Sequence, residues 1–171
     1  MTETSHFDIR TIAALLRAQG ETIADEMTAV PPEVCGWRPA EGEWSMNETL
    51  GHIVEAERRG FNGRIRKILA VDNPDLPGWE HTELARERRD HERNPIEVLL
   101  EFETLRADSV GLVESLRPEQ LQRRGKHERV GEISVNDLLH EWVHHDRNHV
   151  KQMMSVVQAY VWPQMGSCRQ L

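Results

Sequence analysis

The chain has 171 residues, of which 29% are charged and 38% hydrophobic, with a net charge of −8 at neutral pH. That length encloses one core without staples, and the acidity argues against broad binding to nucleic acid or acidic membranes. Cys35 and Cys168 make no CxxC pair and no disulfide framework, and "MTETSHFDIR" lacks the blocks of a signal peptide. No apolar run approaches the ~18 residues of a membrane span. The expectation is a single domain over residues 1–171, with its core at about 7–160 and a short tail at 161–171, located in the cytoplasm.

The first helix is read from Ile9, Ile12, Leu16, Ile23, Met27 and Val30, with "SHFD" as a capping box on Ser5. Pro31 and Pro32 end it by removing backbone donors. After the loop "PPEVCGWRPAEGEW", the capping box "SMNE" at Ser45 opens a second helix carrying Leu50, Val54, Phe61, Ile65 and Ile68, running to about residue 70. A polar stretch follows, read as loop through Trp79 and then a short charged helix. "NPIE" starts the third long helix, with Asn94 as cap and Pro95 in the first turn, and Val98, Phe102, Leu105, Leu112 and Leu116 at helical spacing. The connector 117–133 has no clear pattern. "SVND" at 134–137 then opens the last helix, which extends to about Tyr160.

Four long amphipathic segments, none able to bury its stripe alone, predict an all-α four-helix bundle. The connectors near 71–94 and 117–133 are long enough to cross it, so simple up-and-down topology is not required.

The last helix holds "HEWVHHDRNH", with four histidines in ten residues. His140/His144 and His145/His149 each have the four-residue spacing that sets two imidazoles about one turn apart, able to grip one ion. Helical phase separates the pairs. With Leu138 at zero, the apolar stripe centres near ~75°; His145 and His149 fall at roughly 340° and 20°, at its edge, and His140 and His144 at roughly 200° and 240°, toward solvent. His145 and His149 are therefore the candidate metal ligands. Asp146 projects into the apolar face, where it orients a ligating histidine or pairs with an arginine of a neighbouring helix. Gln152 bonds near the same site or sits at the bundle edge.

A third ligand must come from another helix. His52, Glu55 and Glu57 are the candidates on the second helix, ahead of His81, His91 and His127 in the connectors. His52 points away from the bulky stripe, which suits a surface residue. Its face also carries Ala56, Gly60 and Gly63, which suit a second packed helix, so periodicity leaves it open.

These residues resemble a family. "WSMNETLGH" with Glu55 and Glu57 behind it, "LLHEWVHHDRNHVKQM" near the end, and the lead-in "VCGWRPAEGEWS" are similar to the DinB-like (YfiT-like) four-helix proteins over roughly residues 7–160. The resemblance implies three histidine ligands, His52, His145 and His149, in a bundle with a crossover connection that works as a homodimer. It implies a metal-dependent hydrolase or a thiol S-transferase acting on a small-molecule substrate. Three imidazoles suit Zn²⁺, Ni²⁺ or Fe²⁺ and leave positions open. A low-molecular-weight thiol is the expected co-substrate of the transferase. Glu55, Glu57 and Asp146 are the candidate proton acceptors. A non-catalytic metal- or ligand-binding bundle in stress response is the alternative. The "RPAEGEW" loop, just before His52, either walls the pocket or simply enters the helix.

Overall fold

The computed structural model describes residues 7–78 and 80–170, with side chains at all of these except 81 and 82. Helix α1 (Ile9–Ala29) starts where the Asp8 carboxylate accepts the Thr11 N–H at 2.7 Å, so Asp8 caps the described helix; Ser5 lies outside the described residues. A short helix α2 (Pro32–Cys35) occupies the loop beyond the two prolines. Next come α3 (Met46–Glu55), a π-helical segment (Ala56–Phe61) and α4 (Asn62–Ala70), which together make the second long rod. The rod begins with the expected capping box: Glu48 N–H donates to Ser45 Oγ, and Ser45 N–H donates to the Glu48 carboxylate. A crossover carries β1 (Asp75–Leu76), α5 (His81–Arg88) and a 3-10 turn (Asp90–Glu92). Helix α6 (Pro95–Glu114) is capped by Asn94, and α7 (Val135–Val161) by Ser134, both as expected. Between them lie a 3-10 turn (Pro118–Gln122) and the hairpin of β2 (Arg124–His127) and β3 (Gly131–Ser134). A 3-10 segment (Trp162–Gln170) follows α7.

The four rods form the bundle. Helix α1 packs on α6 and α7, and α3 packs on the same two, so α1 and α3 occupy opposite corners. The core contacts give the directions. Ile23 and Met27 of α1, Met46 and Leu50 of α3, Val98 and Phe102 of α6, and Met153 and Val156 of α7 share one apolar cluster. Ile12 and Leu16, Ile65 and Ile68, Val110 and Val113, and Leu138 and Leu139 share the other. Hence α3–α4 runs parallel to α6, and α1 parallel to α7. Parallel neighbours require the chain to return along the whole bundle, which the crossover 71–94 does, packing α5 against α3. Gly51 admits it: a Cβ there would collide with the Asp90 carboxylate.

The connector 117–133 does not span the bundle. It stays at one end, where β2 pairs antiparallel with β3 and parallel with β1. This small sheet was absent from the sequence reading, because its strands are two to four residues long and carry no alternating apolar pattern. Among the described residues, no helix is long and apolar enough to cross a membrane.

A polar layer separates the two apolar clusters. Each rod contributes to it: Gln19 from α1, Glu57 from the π segment, Arg106 from α6 and Asp146 from α7, all buried. The Arg106 guanidinium donates to Glu57 at 2.9, 3.0 and 3.2 Å, to Asp146 at 2.6 Å and to the Leu16 carbonyl at 2.7 Å. Gln19 Nε2 donates to the Val143 carbonyl at 3.0 Å. A buried charge is costly unless paired and hydrogen-bonded, and here every rod supplies a partner.

Candidate metal centre

The histidines lie at the edge of this layer. His52 comes from the last full turn of α3, and His145 and His149 from successive turns of α7. One ring nitrogen from each of the three falls within 4.8 Å of the others, and all three residues are half-buried. His52 Nε2 and His145 Nε2 stand 3.0 Å apart. The ring centroids are 5.1 Å apart for 52–145, 4.5 Å for 52–149 and 4.4 Å for 145–149.

Two of the rings are held from behind. His145 Nδ1–H donates to Asp146 Oδ1 at 3.3 Å, and His149 Nδ1–H donates to Gln152 Oε1 at 2.9 Å. A ring that donates through Nδ1 presents the lone pair of Nε2, the form a metal ligand requires. Asp146 thus performs both roles the sequence allowed, bonding a histidine with one oxygen and Arg106 with the other. Its burial, which alone would raise its pKa, is outweighed by the Arg106 charge and the His145 hydrogen bond, so its carboxyl stays below the ordinary value. Glu57 goes the other way: burial lifts its carboxyl above the ordinary value despite Arg106.

The π segment begins four residues after His52. It replaces i→i+4 pairing by i→i+5, adding one residue to the rod, and such insertions recur at functional sites. It turns Glu57 into the polar layer and sets Phe61 stacked on Trp142, with ring centroids 5.0 Å apart. Trp142 is therefore core, while Trp44 lies tilted against His52 at 5.2 Å. Trp37 packs edge-on to Tyr160, also at 5.2 Å.

The other sequence candidates sit elsewhere. Glu55 is bound by Arg58 and Arg59 at 2.5 Å each and also by Arg88, so its carboxylate is engaged although it lies one turn from His52. His144 is exposed beside Asn148, as its phase predicted, whereas His140 is half-buried, its Nδ1–H donating to the Asn136 carbonyl at 2.9 Å. The phase calculation missed that bond because it scores side-chain direction, not backbone partners. His91 Nε2 lies 3.3 Å from Glu92, and His127 Nδ1 accepts the Arg129 N–H at 3.2 Å. The His81 side chain lies outside those described. Cys35 is buried, and burial raises its thiol pKa, as expected of an inert cysteine. The sequence reading allowed for an arginine beside Asp146 without identifying Arg106. Its position between Phe102 and Val110, on the buried stripe of α6, was the available signal.

Among the described residues, two cavities of several hundred Å³ reach the histidines and share no lining residue. One, of about 480 Å³, is lined by Ala56, Phe61, Ile133 and Leu138 with His145. The other, of about 520 Å³, meets His149 and Gln152 and is walled by Pro39, Gly42, Glu43 and Trp44. The "RPAEGEW" loop is thus a pocket wall.

With a helical bundle and three converging histidines established, the comparisons place the chain. The family model of the DinB superfamily matches residues 14–153, and the protein belongs to that superfamily. A protein of Oceanobacillus iheyensis named "Putative metal-dependent hydrolase" is 24% identical over 122 residues, covering 71% of this chain and 69% of its own. YfiT from Bacillus subtilis, described as "a probable metal-dependent hydrolase with an unusual four-helix bundle topology", superposes with a TM-score of 0.79 at 14% identity, covering 95% of this chain and 94% of that one. At that identity the structural likeness establishes the fold.

Proposed function

We propose that His52, His145 and His149 bind one divalent metal ion and that the protein is a metal-dependent hydrolase of small molecules. The observation that carries this is the convergence of three imidazole nitrogens within 4.8 Å, two of the rings being held by Nδ1 hydrogen bonds to Asp146 and Gln152. The donors fit the group: a tetrahedral cation with nitrogen ligands at 2.0–2.1 Å needs its donors roughly 3.3 Å apart. Bound there, a divalent ion supplies a Lewis acid with positions open to water or substrate. Zn²⁺, Ni²⁺ and Fe²⁺ all accept such a ligand set.

The chain's own residues do the rest. Asp146 and Gln152 hold two imidazoles in the required tautomer. Arg106 fixes Asp146, and Glu57 balances the guanidinium from the opposite side. Phe61, Ile133 and Leu138 offer an apolar bed beside His145.

The second cavity favours a second reading, transfer of a low-molecular-weight thiol to an electrophile, because two ligands gain separate approaches to the histidines. Both readings take the chain as one domain, with a homodimer as the proposed working unit.

Elemental analysis of protein purified without a polyhistidine tag or added metal tests the proposal. About one metal per chain is expected in the wild type and in His144→Ala, and background levels in His52→Ala, His145→Ala and His149→Ala. Equal loss in His144→Ala would overturn the ligand assignment. Panels of esters, and of thiols with a generic electrophile, assayed with and without chelator, separate the two readings. Stoichiometric metal without turnover on either panel points to a binding protein.

A further inference from the structure

The three carboxylates that the sequence offered for proton transfer are all engaged. Glu55 is held by three arginines, and Glu57 and Asp146 share Arg106. Hydrolysis still needs a group that accepts a proton from water and returns it to the leaving group. The cavity beside His145 contains one on the right face. Glu141 lies one helical turn before His145 on α7 and lines the same space. At that spacing the two Cβ atoms are about 5–6 Å apart, which lets the longer glutamate side chain reach whatever His145 faces.

We infer that the cavity bounded by Phe61, Ile133 and Leu138 is the substrate chamber and that Glu141 is its catalytic proton carrier. This rests on the metal-hydrolase reading. Glu141 takes a proton from the attacking water as the new oxygen–carbonyl bond forms. It delivers that proton to the departing alkoxide as the acyl–oxygen bond breaks, giving one acid and one alcohol and leaving the carboxylate as it began. The apolar bed suits an ester whose acyl group is an alkyl or aryl chain.

Other ionisable groups also line the chamber, from elements other than the turn that precedes His145 or with partners of their own. From α7, the Asp137 carboxylate is held by the Ser134 N–H at 2.8 Å. From α4, Arg64 is a cation that donates to the Pro77 carbonyl at 3.0 Å. Glu80 belongs to the crossover. Glu128 and Arg129 belong to the hairpin turn, with the Glu128 carboxylate lying against Gly78. His127 on β2 is the competitor, since burial and then Arg64 lower its pKa and keep it neutral near neutral pH. Its Nδ1 already accepts the Arg129 N–H. The cavity beside His149 offers one carboxylate, Glu43, on the loop before α3.

The test compares Glu141→Gln, His127→Gln and Glu43→Gln with the wild type, using p-nitrophenyl butyrate as the ester and metal content and melting temperature as independent readouts. Glu141→Gln is expected to keep its metal and melting temperature, to lose about 10²–10⁴-fold in kcat, and to lose the acidic limb of the pH–rate profile. His127→Gln and Glu43→Gln are expected to retain the acidic limb, whatever change in KM follows from altering a cavity wall. A Glu141→Gln enzyme within a few-fold of wild type, or one that loses its metal, overturns the assignment, as does loss of the acidic limb in His127→Gln. A wild type with no metal-dependent turnover overturns the hydrolase reading itself, a separate outcome visible before any variant is made.

Discussion

Glu55 and Glu57 stand two residues apart, and the π segment sends them into two different charge clusters. Glu55 joins the cluster that fastens the crossover. Arg88 bridges it to Asp90, and Glu101 of α6 receives Arg58 at 2.6 Å and Arg93 at 2.9 Å. Every acid there has at least two arginines, and Arg58 and Arg59 are about half exposed. Glu57 joins the inner cluster, where Arg106 alone serves two buried carboxylates. The outer cluster is redundant and reaches water through its arginines, and the inner one is singular and dry. Charges of the same chemistry should therefore differ sharply in what their loss costs.

The largest contrast is in stability. Arg106→Met leaves two buried carboxylates without a counter-charge, and urea unfolding should show a loss of about 3–5 kcal/mol. Arg59→Ala, whose partner keeps two other arginines, should cost about 1 kcal/mol or less. Comparable losses would erase the distinction.

A smaller effect should appear in metal affinity. Asp146→Asn keeps the shape but weakens the acceptor behind His145, so a chelator competition should show metal binding weaker by about 10–100-fold. Glu55→Gln, whose carboxylate is bound by Arg58, Arg59 and Arg88, should leave affinity unchanged. A shift in Glu55→Gln as large as that in Asp146→Asn would join the two clusters functionally.

The smallest effect is a difference of sign with pH. Burial alone would raise the Glu101 carboxyl, but Arg58 and Arg93 outweigh it and hold the group below its ordinary value of 4.5. Its stabilisation is therefore present above pH 4.5 and lost as pH falls through the lower folded value. Glu57 is raised by burial, so its contribution is present below 4.5 and lost as pH rises through the higher folded value. Urea midpoints measured across mildly acidic to neutral pH should show Glu101→Gln flattening the acid-side fall and Glu57→Gln flattening the opposite one. Slopes of one sign in both variants would contradict the comparison.

The bundle was readable because its boundaries rest on local chemistry. Ser45, Asn94 and Ser134 cap helices that begin where their neighbours in sequence dictate. His145 and His149 were separable from His144 because α7 is a regular helix, on which angle follows directly from residue number. His52 was not, for two physical reasons. The π segment changes the angle per residue, so Leu50 before it and Phe61 after it cannot be placed on one wheel. The crossover also buries the side of α3 that would otherwise face water, covering Asn47, Thr49, Gly51 and Glu55 as well as the apolar residues. The small sheet and the shared Arg106 depend on contacts distant in sequence, which periodicity does not register.

The extra residue in Ala56–Phe61 also makes the second rod sensitive to its own length. If the segment relaxed into a uniform α-helix with all its residues kept, everything beyond it would rotate by about 100°. Phe61, Ile65 and Ile68 would swing off their packing partners while His52 stayed in place. Deleting one residue within Ala56–Phe61 should thus be tolerated better than deleting one from α3 or α4, where no widened turn absorbs the change.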